Sequence, residues 1–378
     1  MDWSAIESLR AGVSQITDVR VVGRCEPLLI DVLAITILAV LCGADDFVAV
    51  ETFAVGRHIW LQQFFELPNG IPAHDTFSRV LGLIDPQQFS AGLVGWTAAL
   101  PQTLKGRVIA IDGKTARGSA SKKKGLRALH LVSAWATEAG LTLGQVAVEE
   151  KSNEITAIPE RLELLSLKGA LVTIDARGMQ KAIVAQIRQQ QADFVIGLKD
   201  NQPTLAANMS QLLDEGCRTN FAELTTDVHS TTETAHGGTE QRDVRVIEIP
   251  EDSPHRQTWK DLRTLAVVWN RIERDGLESF ETRFYLSSLP PDAKLLSRVI
   301  RSHGGIENSW HWSMDVTFRE DAHRLLNRHG VQNLSAIRRL AVSILRRDTS
   351  SKIGAKNKRF KAALNPDYIL RLLQDLQL

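Results

Sequence analysis

Cysteine is scarce: the 378 residues include three, Cys25, Cys42 and Cys217. No CxxC spacing links them and their number is odd, so neither a disulfide framework nor a cysteine zinc centre is indicated, which fits a reducing cytoplasm. Net charge is nearly absent as well. At +1, from 45 Lys/Arg against 44 Asp/Glu, it points by itself to no partner. Long apolar runs are missing too. The strongest, LLIDVLAITILAVLCGA at 28–44, is interrupted by Asp31 and falls short of the roughly 20 apolar residues that span a bilayer, so it reads as a core helix and no membrane association is expected. The opening MDWSAIESLRAG is too polar for a signal peptide. There is no internal repeat, low-complexity tract or HExxH zinc signature. What remains is ordinary globular composition, 43% hydrophobic and 24% charged, with material for two or three domains at roughly 150 residues each.

Residues 1–101 show no strand pattern and read as a helical domain. The run at 28–42 is followed by DDFVAVETFAVGRHIWLQQFF, apolar at helical spacing, and by the turn-rich LPNGIPAHDTFSRVLGLIDP, where Asp75 or Thr76 can cap a helix beginning at Phe77. After residue 105 the texture changes. KGRVIAID is a strand whose apolar run stops at Asp112, and LRALHLVSAWAT and LTLGQVAVEE form a hairpin about the turn at Glu138–Gly140. SNEITAIPERLELLSL is a helix with Ser152 and Asn153 as candidate caps. GALVTIDA is a fourth strand ending at Asp175, MQKAIVAQIRQQQ a helix, and DFVIGLK a fifth strand. The order β-β-β-α-β-α-β predicts an α/β fold, an RNase H-like mixed sheet flanked by helices. In that order the first and fourth strands are neighbours, so Asp112 and Asp175 are expected side by side although 63 residues apart (175 − 112).

Residues 203–220 read as a helix. QRDVRVIEI, LRTLAVVWNRI and ESFETRFYLSSL mark a β-rich insertion, and a helix from Asp292 runs through LLSRVIRSHGGIENSWHW. The division is therefore 1–101, a helical domain; 102–220, the first part of a catalytic core; 221–290, the insertion; and 291–378, the last part of the core with a basic helical tail.

A strand-terminal Asp that caps the next turn is the ordinary reading of Asp112. Two such acids at one sheet edge allow another. Two Mg²⁺ ions about 3.5–4 Å apart can activate an attacking oxygen and stabilise a leaving one in phosphodiester displacement, and magnesium favours a few carboxylates plus phosphate oxygens. A third acid must come from a later helix, and RSHGGIENSWHW offers Glu307. His303, Glu307 and His311 fall at i, i+4 and i+8, which also allows a zinc site, although the two Asp partners explain Glu307 better. From Arg319 to Lys361 twelve Lys/Arg stand against Glu320, Asp321 and Asp348, an excess of nine (12 − 3), and KKKGLR at 122–127 is a second cluster. Such blocks are either solvated faces or the footprint of a phosphate backbone.

The stretches AIDGKTARGS (110–119), KSNEITAIPE (151–160), TIDARGMQK (173–181), DFVIGLKDNQPTL (193–205) and RSHGGIENSWHWSMDVTFRED (301–321), with LAVLCGADDF (38–47) and NGIPAHDTFSRV (69–80), occur in an order that covers nearly the whole chain. Through them the chain resembles the DDE transposases of bacterial insertion sequences, in the group of the H-repeat-associated proteins. The resemblance implies that Asp112, Asp175 and Glu307 form a triad binding Mg²⁺, with Mn²⁺ able to substitute. It implies strand cleavage and strand transfer at insertion-sequence ends, double-stranded DNA (terminal inverted repeats and target) as partner, a homodimer, and a cytoplasmic protein associated with the nucleoid when bound to DNA.

Lys114 then stands where a cation could meet a phosphate, with a solvated turn lysine as the alternative. Lys199 and Asn201 end the fifth strand on the same expected edge. Arg301 is expected at a DNA phosphate or Glu307, against an ordinary surface ion pair, and His303 is placed with it at the DNA. Trp310 and Trp312 are two apart and cannot share a helix face, so one belongs to the core and the other can stack on an unpaired base; Trp310 is assigned to the DNA. ETAHGGTEQRDVRV (233–246) resembles the family's His-Gly-Arg-x-Glu-x-Arg stretch, with His236, Glu240 and Arg242 matching and Arg242 assigned to the DNA; a hydrogen-bonded turn is the alternative.

Three positions depart from the family pattern. Gly304 stands where a Trp is usual, Gly238 where an arginine is usual, and Arg177 is unusual after Asp175. The triad is intact, so two rivals share the same core: a domesticated or decayed transposase that binds DNA without cutting it, and a host nuclease that cuts without preference for inverted repeats.

Overall fold

The computed structural model describes residues 4–21, 27–97, 104–148, 154–163, 165, 167–235 and 238–374. The expected caps Ser152 and Asn153, and His236, lie outside them. The N-terminal stretch is helical: α1 (Ser4–Ser14), α2 (Leu29–Leu41), α3 (Phe47–Gly56), α4 (His58–Leu61), α5 (His74–Leu83) and α6 (Pro86–Thr97). Then come β1 (Val108–Ala116), β2 (Leu129–Ala136), β3 (Leu141–Val148), α7 (Glu154–Glu163), β4 (Leu171–Ile174), α8 (Lys181–Gln189), β5 (Asp193–Leu198) and α9 (Pro203–Arg218). Next are β6 (Thr226–Ala235), β7 (Gly238–Glu248), α10 (Pro254–Thr258), β8 (Thr264–Arg274) and β9 (Leu277–Ser287). The chain ends with α11 (Ala293–Gly305), α12 (Arg328–Arg347), α13 (Ala355–Leu364) and α14 (Pro366–Gln374). Two compact units result. One comprises Met1–Thr103, Gly113–Asn153 and Glu307–Leu378; the other Leu104–Asp112 and Glu154–Ile306.

In the first unit α2 is apolar on all faces and buried on all faces, as such a helix must be. Its one charge, Asp31, is buried; burial raises its pKa, and the Leu67 N–H that it accepts at 3.2 Å works against that rise. No helix among the described residues is long and apolar enough to cross a membrane. Helix α12 is the unit's second buried axis, packed on α2, α5, α6 and β3. Its Asn333 amide donates to the carbonyls of Leu81 and Ile84 at 2.8 and 3.0 Å, closing the C-terminal end of α5. That helix starts at His74, before the expected Phe77. Glu51 of α3 takes the capping role instead, accepting both the His74 backbone N–H (2.9 Å) and its imidazole Nδ1 (2.7 Å).

In the second unit β1 pairs parallel with β4, and β4 parallel with β5; β9, β8, β7 and β6 continue antiparallel. The whole strand order is β3-β2-β1-β4-β5-β9-β8-β7-β6. Its first five places are the RNase H-like order that the sequence predicts, and the β-rich stretch extends the same sheet from β5. Helix α11, capped by Asp292, lays Ala293, Leu296, Val299 and Ile300 on a core formed with Val108, Leu171, Val195, Val246 and Val268. Strand β6, TDVHSTTETA, has no apolar alternation to reveal it and lies at the sheet edge, where one side of the ladder remains outside the sheet.

Two local expectations change. β1 does not end at Asp112 but runs on to Ala116, and beyond the apolar run Lys114 and Ala116 are buried again. The helix from Asp292 ends as an α-helix at Gly305 and widens into π-turns over Ile306–His311 and Ser313–Thr317. The continuous α-helix expected through His311 is thus replaced by wider turns after Gly305.

Candidate active site

The parallel register sets the site's first pair. Ile111 faces Ile174 across β1 and β4, and the next residue on each strand is Asp112 and Asp175. Neighbouring strands lie about 4.7–4.9 Å apart, so the two carboxylates spring from adjacent points on one sheet. Asp175 is exposed and Asp112 half-buried. Asp175 Oδ1 accepts the Arg177 backbone N–H at 3.0 Å, capping the short 3₁₀ turn Ala176–Gly178.

That turn folds tightly onto the sheet. A Cβ at Gly178 would lie 2.3 Å from the Ile174 side chain, and one at Gly197 of β5 only 3.2 Å from the Ala176 nitrogen. From the end of β5 the Asn201 amide donates to the Ala176 carbonyl at 2.7 Å, and Gln202 to the Met179 carbonyl at 2.9 Å. Asn201 therefore fixes the loop that presents Asp175. Lys199 and Arg177 are exposed cations on these same two segments.

Lys114 is not where the sequence suggested. It is 8% exposed, and its ammonium lies 2.6 Å from Asp315, 3.0 Å from Glu320 and 3.4 Å from Asp321. Burial works against its charge, but Glu320 and Asp315 outweigh that and its pKa stands above the usual lysine value. Glu320 is fully buried, which alone would raise its pKa, yet Lys114, Arg339, Arg338 and the Ser335 hydroxyl (2.6 Å) hold it at about 2. Meeting a phosphate would strip Lys114 from three carboxylates. Neither the phosphate contact nor the solvated turn describes it. Sequence reading missed Asp315, Glu320 and Asp321, although all three lie inside the stretch SMDVTFRED.

Trp310, assigned to the DNA, is 1% exposed, with its ring centroid 3.7 Å from that of Trp135 on β2. No base can stack on it in this conformation. Trp312, at 57% exposure, is the available indole. Glu307 lies in the first π-turn, and His303 is half-buried in the last turn of α11.

Arg301 pairs with Glu233 on β6 in an exposed ion pair, the ordinary alternative for it. Arg242 donates to Asn270 at 2.9 Å and to Glu240 at 2.7 Å, so the two residues of its family-like stretch are bound to each other. At Gly238, where the family carries arginine, a Cβ would lie 2.8 Å from the Glu273 carbonyl oxygen, so glycine is what this strand approach admits. At Gly304 a Cβ would meet nothing within 4 Å.

The basic block divides in two. Arg338, Arg339, Lys358 and Arg359 are buried. Lys358 donates to the Leu345 and Asp348 carbonyls (2.9 and 2.6 Å) at the end of α12, and Arg359 to those of Val40 (3.0 Å) and Ala44 (3.2 Å) at the end of α2. Those cations satisfy orphan carbonyls at negative helix ends. Arg319, Arg324, Arg346, Lys352 and Lys356 remain exposed.

A family model described as the transposase DDE domain matches residues 103–344, and one described as DDE_Tnp_1-associated matches residues 11–97. The chain belongs to the DDE transposase family. It is 40% identical to "Putative transposase YncI" of Escherichia coli O157:H7 over 98% of this chain and 95% of that one. It is 34% identical to "H repeat-associated putative transposase YhhI" of Escherichia coli K12 over 97% and 98%. A piggyBac transposase synaptic complex with hairpin DNA overlaps it with a TM-score of 0.42 at 10% identity, covering 98% of this chain and 78% of that one, which is too slight to carry an argument.

Proposed function

We propose that this protein is an active transposase that cuts and joins DNA at the ends of its own insertion sequence, with Asp112, Asp175 and Glu307 as its metal ligands. The observation that carries the reading is the parallel register of β1 and β4, in which the residues before Asp112 and Asp175, Ile111 and Ile174, face each other on adjacent strands inside the sheet. Hard carboxylate oxygens suit Mg²⁺ or Mn²⁺. Bound there, the ions would lower the barrier for attack by water and then by a 3′-hydroxyl, and would offset charge on the leaving oxygen.

The chain's own residues do the rest. Asp112 and Asp175 present oxygens from a rigid sheet, and Asn201 holds the loop behind Asp175 in place. Exposed Lys199 and Arg177, the weakly held Arg301 and the exposed indole of Trp312 are the groups that can receive a DNA backbone or an unstacked base. Half-buried His303 and Arg242 complete the set of residues assigned to DNA binding. Double-stranded terminal repeats and target DNA are the partners, a homodimer is the working form, and the cytoplasm is the compartment. Residues 1–101 act as the associated helical domain, 102–220 and 291–378 as the catalytic core, and 221–290 as its insertion.

The test is strand cleavage on a plasmid carrying the gene's own flanking DNA, with Mg²⁺ or Mn²⁺, comparing wild type with Asp175→Asn. Cuts at two defined ends, absent in the variant, support the reading. Specific binding of those ends without cutting by either protein would falsify it in favour of a domesticated DNA-binding protein. Cutting without end preference would point to a nuclease.

A further inference from the structure

Every carboxylate that Lys114 touches lies on one stretch, residues 315–321. Two more ties join the same parts of the chain. The Arg117 N–H donates to Asp321 Oδ1 at 3.2 Å, and at Gly118 any Cβ would lie 2.1 Å from the His323 carbonyl oxygen, so the backbones meet there. Behind the carboxylates stand Ser335, Arg338 and Arg339 of α12, all buried. Residues 114–118 are thus clamped to residues 315–323. The clamp begins two residues after Asp112 (114 − 112) and eight after Glu307 (315 − 307).

Without the lysine, buried Glu320 and the half-buried Asp315 and Asp321 would repel one another, and the lysine without them would be a buried unpaired charge. Each side therefore holds the other. A tie this dense, immediately downstream of two proposed metal ligands, does more than fill space. We infer that Lys114 is a positioning residue, whose clamp onto residues 315–323 holds the strand segment just after Asp112 and so fixes the carboxylate that Asp112 would offer to divalent metal. This rests on the assignment of Asp112, Asp175 and Glu307 as metal ligands made above. Lys114 touches neither DNA nor metal in this scheme and acts through the strand that carries it.

The experiment uses the full-length protein and measures Mn²⁺ binding from the loss of the free-ion electron paramagnetic resonance signal. Melting temperature and DNA affinity at several salt concentrations are followed alongside. Lys114→Met is expected to weaken Mn²⁺ binding by about 10- to 100-fold, the range seen when groups supporting metal ligands are removed. Lys114→Arg keeps the charge and recovers part of that loss. Asp321→Asn, which removes the longest of the three contacts, gives a smaller loss in a folded protein and decides the matter if Lys114→Met does not fold.

Unchanged Mn²⁺ affinity in the folded Lys114 and Asp321 variants, with only melting temperature lowered, would overturn the inference and leave the clamp structural. So would intact Mn²⁺ binding with weaker DNA binding and a salt slope reduced by about one, the sign of a lost phosphate contact. Asp175→Asn separates the two levels of argument. If it binds Mn²⁺ like the wild type, the ligand assignment has failed, and the positioning role falls with it.

Discussion

Carboxylates gather at two places in this chain and are held in opposite ways. Around Lys114, Asp315, Glu320 and Asp321 share a buried cation, with Arg338, Arg339 and Ser335 behind Glu320. Where β1 and β4 run side by side, Asp112 within β1 is half-buried and Asp175 just past β4 is exposed, and Asp175 accepts a backbone N–H from its own turn. Burial makes an uncompensated charge costly, so the first group is closed by cations from its own chain. In the second, Asp175 keeps its carboxylate at the solvent-exposed surface. Counting acids and bases along the sequence cannot separate these cases, because the same residue types build both.

The sharpest way to break this contrast is at Asp175. Asparagine caps a turn about as well as aspartate, so Asp175→Asn leaves the melting temperature within a degree or two and removes the negative charge. Metal-dependent cleavage is expected to fall by about a thousandfold or more, since metal stabilisation of the transition state amounts to several kcal/mol. A cleavage assay beside a thermal melt checks both halves; a variant that still cuts would empty the contrast of meaning.

At the other cluster the effect should be on stability. Glu320→Gln leaves Lys114, Arg338 and Arg339 buried with less counter-charge, and is expected to lower stability by about 3–5 kcal/mol in chemical denaturation. Glu320 also predicts the sign of an acid effect. Its folded pKa of about 2 lies below its ordinary 4.5, so its stabilisation is complete above pH 4.5 and is lost as pH falls toward 2. Denaturation curves between pH 2 and 6 should show that decline in the wild type and a flatter one in Glu320→Gln.

Two glycines sharpen the comparison at smaller scale. Gly238→Arg forces a Cβ to 2.8 Å from a backbone carbonyl, which should destabilise the protein by about 1–3 kcal/mol. Gly304→Trp meets open space and should change stability by about 0.5 kcal/mol or less. Both substitutions restore the family residue, and equal melting temperatures for the two would contradict the close strand approach at Gly238. The smallest change concerns Arg301→Ala. It breaks only an exposed pair with Glu233, worth about 0–1 kcal/mol, while a DNA role would appear as a shallower salt dependence of binding.

Much of the fold was legible beforehand because it is written in local patterns. Apolar runs of strand length alternating with helix-length periodicity delimit β1 to β5 and make Asp112 and Asp175 expected neighbours. Polar β6 escaped because an edge strand need not bury alternate residues. The site was legible only in part. Asp112 and Asp175 followed from strand order, but Lys114 and Trp310 looked like DNA contacts because an exposed and a buried lysine, or indole, are the same letter. The basic tail misled for the same reason: two of its cations close the carbonyl ends of α12 and α2, and that role depends on which helix end arrives nearby.

The sequence by itself determined the order of elements, the RNase H-like strand order and the acids that end or cross its strands, since these depend on residues close together in the chain. Tertiary structure alone decided which charges are closed inside the protein. Lys114 and Asp321 are 207 residues apart, and Arg359 and Val40 are 319 apart. No periodicity extends that far. Whether a charged side chain is closed inside the protein or left at its surface depends on the dielectric around it, which forms only when distant segments pack.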